Sequence, residues 1–129
     1  MPIKCEFRPN GVIIWHSGII TGKDLLDANH EIYSYQYNQD LQFQLADLTK
    51  VEKFDVSKDD MAALAIMDSE VKKDNCQYAC SVAPTDLLFG LSRTWNIQAE
   101  SENFITNVVR NRDEALAWYK SHGIIIEAY

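Results

Sequence analysis

The sequence predicts an α/β fold: a single mixed, mostly parallel sheet of about five strands with four helices, in the order β-β-α-β-α-β-α-β-α. Three observations predict it. Short runs rich in β-formers alternate with segments of helical spacing. A Pro9-Asn10-Gly11 turn joins the first two runs, and most later runs lead into a helix-capping residue. Strands joined by single helices need right-handed crossovers and pair in parallel, so only the opening hairpin is expected to be antiparallel.

Residues 3–7 alternate and read as a strand, and residues 12–17 as its hairpin partner. Thr21 then has Asp24 three residues on, the spacing of a capping box, and Leu25, Ala28, Ile32 and Tyr35 follow at helical spacing up to about Tyr37 and Asn38. Residues 41–48 form the third strand. An acidic turn is expected next, before Ser57 opens the second helix with Asp59 and Asp60 in its first turn. That helix presents Met61, Leu64, Ala65 and Val71 and ends at Asp74-Asn75.

Residues 78–82 are short and apolar, as a buried strand would be. Pro84-Thr85-Asp86 begins a third helix carrying Leu87, Leu88, Leu91 and Trp95. Residues 104–109 are the fifth strand. Asn111 and Glu114 have capping-box spacing before a fourth helix with Ala115, Leu116, Trp118 and Tyr119, and Gly123 suits its C-terminal cap. Residues 124–126 read as a last edge strand or a docked tail. The 129 residues suffice for one domain with a real core.

Composition bounds the function. The net charge is −7, and the longest basic block is Lys72-Lys73, which argues against nucleic-acid binding and against docking on anionic lipid. No apolar run nears the roughly 20 residues that span a bilayer, so no integral membrane association is expected. The first residues lack the apolar core of a signal peptide, and the three cysteines, an odd count, suit a reducing compartment. A cytoplasmic location is the expectation. Cys76 and Cys80 are spaced C-x3-C, not the redox C-x-x-C, and read as small core or edge residues.

Several motifs fail on inspection. Gly18-Ile-Ile-Thr-Gly-Lys23 is one residue short of a P-loop, and Asp24 stands where a hydroxyl should hold magnesium. Gly90-Leu-Ser-Arg-Thr94 lacks the second glycine of a nucleophile elbow. His16, His30 and His122 have no metal-ligand spacing and read as surface or capping residues. No metal, no cofactor and no catalytic residue is expected.

One edge is the candidate site. If the third and fourth strands are parallel neighbours, the helices starting at Ser57 and Thr85 point to the same edge and offer free N–H groups to an anion. Lys58 and Arg93 would add positive charge there and Asp55 would subtract it. Asp68 falls on the apolar face of its helix and needs a partner, for which Arg93 is the candidate. Phe89 and Trp95 are candidates for lining an apolar cleft, and Asp68 is its candidate acid.

Three segments also carry a resemblance. Residues 45–57, LADLTKVEKFDVS, residues 83–95, APTDLLFGLSRTW, and residues 109–118, VRNRDEALAW, together resemble the SpoIIAA-like family, a branch of the STAS fold. The resemblance covers nearly the whole chain. It implies a non-enzymatic regulatory or protein-interaction domain, with Ser57 as the candidate phosphoacceptor. STAS antagonists carry Asp followed directly by Ser or Thr, whereas here Val56 stands between Asp55 and Ser57. The family's similarity to Sec14-type domains implies the alternative, a small apolar or acidic lipid-like ligand in a cleft beside the helices. Partners are thus a protein or a small ligand, with a homodimer through the first hairpin edge or residues 124–126 as a further expectation.

Overall fold

In the computed structural model, which describes residues 2–71 and 73–129, the strands are β1 (Ile3–Arg8), β2 (Gly11–Thr21), β3 (Phe43–Asp55), β4 (Gln77–Val82) and β5 (Phe104–Val109). The helices are α1 (Gly22–Ser34), α2 (Lys58–Glu70), α3 (Asp86–Ala99) and α4 (Arg112–Ser121), with a 3-10 turn at Asn38–Asp40. Lys72, half of the longest basic block, and Met1 lie outside the described residues. The strands lie side by side in chain order β1-β2-β3-β4-β5. β1 and β2 pair antiparallel, and the other neighbouring strands pair in parallel.

Each crossover steps to the next strand in the same direction, which puts its helix on the same face of the sheet. That face carries Val12, Ile14, Ala79 and Phe104, and it packs against Ile32 of α1, Met61 and Ala65 of α2, and Leu91 and Trp95 of α3. The opposite face carries Ile13, Phe43, Leu45, Cys80 and Val82 under Ala115 and Tyr119 of α4. Residues 124–129 dock there: Ile124 and Ile126 are buried beside α4, and Gly123, at φ +79°, makes the left-handed turn into them. They form no strand.

The helices end earlier than their sequence spacing suggests. α1 stops at Ser34, and Tyr35 leaves it to stack on Phe7 at 4.0 Å. α2 stops at Glu70, so Val71 is its C-cap and not part of its apolar face. Leu87, in the first turn of α3, faces outward. Among the described residues no helix is long and apolar enough to cross a membrane.

The largest difference from expectation is at residues 49–55. They are not a turn but the continuation of β3, which pairs with β2 as far as Thr21 opposite Asp55. The pairing of β3 with β4 stops at Asp47 opposite Val82. From there β2 and β3 run on as a two-stranded ribbon, bulged near His16 and at Gly18.

Candidate functional site

The ribbon decides which helix starts meet. β2 and β3 end together, so the neighbouring helix N-termini are those of α1 and α2, not those of α2 and α3. Thr21 and Asp24 form one capping box, and Ser57 and Asp60 form another. The Ser57 hydroxyl accepts from the Asp60 amide, and the Asp60 carboxylate accepts from the Ser57 amide, both at 3.0 Å. Asp60 also lies against Gly22, the first residue of α1, where a Cβ would stand 2.5 Å from the carboxyl carbon. The chain's own carboxylates, Asp24 and Asp60, thus occupy the positive ends of these two helices.

The predicted anion edge is dispersed as a result. Asp55 is the exposed end of β3, and Lys58 is exposed on the first residue of α2. Thr85 caps α3 separately, its hydroxyl accepting from Leu88 N at 3.3 Å. Arg93 is exposed and donates to the Asn96 side chain at 3.4 Å. It is not the partner of Asp68. Phe89 packs with Leu48, Ala83, Leu88 and Val108, beneath the Arg110 guanidinium.

Asp68 and Trp95 do come together, in a polar cluster between helices and sheet. Asp68 is buried on α2. Its Oδ1 accepts from Asn29 Nδ2 at 2.9 Å and from the Tyr33 hydroxyl at 2.6 Å, both on α1. Its Oδ2 accepts from Trp95 Nε1 on α3 at 2.7 Å. Lys73 Nζ donates to the Asp68 backbone carbonyl and lies 4.3 Å from the Phe104 ring centroid. Burial raises the Asp68 pKa, against the hydrogen bonds from Tyr33, Trp95 and Asn29 and the charge of Lys73. Burial also lowers that of Lys73, with Asp68 opposing.

A cavity of about 60 Å³ lies beside this cluster. Its floor is the helix-covered face of β2, β3 and β4, where Ala46, Ala79 and Ser81 are too small to fill the space under the helices. Its walls are Ala28 and Asn29 of α1, Met61, Leu64 and Asp68 of α2, and Ser92 and Trp95 of α3. Most of the lining is apolar. Its half-buried members, among them Ala28, Ala46, Phe54 and Leu64, mark where it meets the surface.

His16 lines the cavity too, which corrects its reading as a surface or capping residue. It sits at the bulge in β2, and its Nδ1 is 2.9 Å from the Ile14 carbonyl oxygen. Burial pushes its pKa down to about 4, despite the Ile14 and Asp47 carbonyls and the Asp47 charge, so the ring is neutral at pH 7. The strand period held the signal, since His16 follows Val12 and Ile14 on one face.

A second cluster lies on the opposite face. Asp47 is buried where the β3–β4 pairing ends. It accepts from Thr49 N and Oγ1, from Arg112 Nε at 3.0 Å and from the Tyr129 hydroxyl at 2.7 Å. Burial alone would raise its pKa, but these donors and the Arg112 charge hold it below the usual value. The Arg112 guanidinium lies over the Trp15 and Tyr129 rings, and Arg8 donates to the Glu127 and Ala128 carbonyls. This cluster fastens residues 124–129 to the sheet. Neither Asp47 nor Arg112 stands out in the sequence, because 65 residues separate them.

Among the described residues no group of three or more His, Cys, Asp or Glu side chains is placed to hold a metal ion. No protein-family model matches the chain, and no curated protein matches it.

Proposed function

We propose that this chain is a non-enzymatic regulatory domain that binds a small ligand between the sheet and helices α1 to α3. The cavity carries the reading: mostly apolar walls with a few convergent polar groups are the usual form of a ligand site. The titratable groups nearby are engaged in holding elements together, Asp68 joining α2 to α1 and α3. The SpoIIAA-like assignment and a cytoplasmic location belong to the same proposal, on the three sequence segments and the cysteine count.

The acidic ligand implied by the family resemblance fits the cavity poorly. Among the described residues its lining includes one carboxylate, Asp68, and no lysine or arginine. Amide NMR shifts recorded with a library of small fragments test the reading. Shifts clustered on Ala46, Ala79, Ser81 and the Trp95 indole are expected. A library that moves none of them would remove it.

A protein-interaction reading is favoured by a different observation. Leu87, Gly90, Thr94 and Ile97 recur at helical spacing along the outer side of α3, and Leu87 and Ile97 are 63% and 69% exposed. In that reading Ser57, exposed at the start of α2, is the phosphoacceptor. A phosphate there would replace the hydroxyl that caps α2 and stand beside Asp60. Mass spectrometry after incubation with lysate kinases tests it, and an unmodified Ser57 in every condition would count against the switch.

A further inference from the structure

Two serines in the cavity wall have no work to do inside the protein. Ser81, on β4, is 7% exposed, and Ser92, on α3, is 2% exposed. Both line the cavity. Neither hydroxyl makes a hydrogen bond to another described residue, whereas the neighbouring Thr94 hydroxyl bonds back to the Gly90 carbonyl. Neither hydroxyl oxygen is fully enclosed, since no fully enclosed side-chain oxygen or nitrogen among the described residues lacks a partner. A buried hydroxyl without a partner costs stability, so two of them facing one space mark where a ligand's polar atom belongs.

The surroundings narrow what that ligand is. Among the described residues Asp68 is the one carboxylate in the lining, and its oxygens are already taken by Asn29, Tyr33 and Trp95. An anion would meet this carboxylate with no described cation in the lining to balance it, and a cation would find only neutral acceptors, because the Asp68 oxygens are already engaged. His16 is neutral. The remaining walls are mostly apolar, with Ile14, Leu25, Leu48 and Met61 aliphatic and Phe54 aromatic, and Gln44 there already donates to Gln77 Oε1. A volume of about 60 Å³, well below the roughly 150 Å³ of a cavity that takes up benzene, admits only a small molecule of a few non-hydrogen atoms. A serine hydroxyl rotates to donate or to accept, so the pair suits either a hydroxyl or a carbonyl.

We propose that Ser81 and Ser92 make this cavity a binding site for a small neutral molecule with one hydroxyl or carbonyl head on a short apolar body. The proposal rests on the ligand-binding reading above and adds the ligand's chemical class and the residues that select it. The test is an amide NMR titration of the whole protein with 1-butanol, butanone, butyrate, butylammonium and xenon, followed at Ser81, Ser92 and the Trp95 indole. Butanol or butanone should bind, and butyrate and butylammonium should bind about tenfold more weakly or not at all. Ser81→Ala and Ser92→Ala should each weaken butanol about three- to tenfold and leave xenon unchanged, with the xenon response also showing that each variant is folded. Butyrate binding as well as butanol, or both alanine variants binding butanol normally, would overturn the assignment of ligand class. Xenon entering while butanol and butanone do not would overturn it while leaving the cavity reading standing. No probe entering, xenon included, would overturn both.

Discussion

Trp95 Nε1 donates to Asp68 Oδ2 across 2.7 Å, and this bond ties α3 to α2 at the edge of the cavity. The other Asp68 oxygen holds α1 through Asn29 and Tyr33. One buried carboxylate therefore sets the spacing of three helices. Asp68→Ala leaves three donors without an acceptor and is expected to cost about 3–5 kcal/mol, the usual range when one side of a buried charged network is removed. Trp95→Phe in addition should cost less than in the wild type, because the bond is already gone. Urea denaturation of the two single variants and the double variant measures this coupling, and strictly additive losses would refute it.

The pH dependence of stability has a marked contribution from His16. Its pKa is about 4 in the folded chain and about 6.5 in an unfolded one. As the pH falls, the unfolded chain takes up this proton first. The stability carried by neutral His16 is full above about pH 6.5 and is lost between there and about pH 4, by about 3 kcal/mol in all. Asp68, with its raised pKa, acts in the opposite direction as the pH falls, and Asp47, with its lowered pKa, adds a loss below the ordinary carboxylate range. Comparing wild type with His16→Gln isolates the imidazole. Denaturation midpoints at pH 7 and pH 4.5 should converge in the variant, and an undiminished pH slope would refute the assignment.

The architecture was legible because hydrophobic period and capping residues agree along most of the chain. Thr21, Ser57, Thr85 and Asn111 all cap the helices they precede. The need of Asp68 for a partner was legible from its place on an apolar helical face, but the partners were not, since Asn29 and Tyr33 lie 39 and 35 residues away. The ribbon was hidden for another reason. Residues 49–55 are largely exposed and polar, so nothing in their composition separates a strand paired mainly along one edge from a turn. That misreading set the helix starts at Ser57 and Thr85 side by side, and with them the anion edge. The cavity could not be read at all, because Ala46, Ala79 and Ser81 become a floor only once three helices span them.

Asp47 holds residues 124–129 through Tyr129, while Arg112 links the same carboxylate to α4. Asp47→Ala is expected to free the Tyr129 hydroxyl and the Arg112 guanidinium together. Hydrogen exchange at residues 124–129 should then quicken several-fold more than exchange in β4, since the sheet pairing is untouched. Equal acceleration in both segments would mean that Asp47 supports the fold as a whole and does not fasten this segment.

Gly22 and Asp60 test the account of the paired helix starts. A Cβ at Gly22 would lie 2.5–2.8 Å from the three carboxyl atoms of Asp60, so Gly22→Ala must push that side chain out of its capping box. The expected cost is about 1–3 kcal/mol, combining a lost cap with steric crowding. In an Asp60→Ala background the obstruction is already gone, and the same substitution should cost little, because alanine is the better helix former at a position with helical geometry. Thermal denaturation of the four proteins completes the cycle. If Gly22→Ala costs as much without the Asp60 carboxylate as with it, the two helix ends do not share that carboxylate, and the positive edge at α1 and α2 would again be open to an external anion.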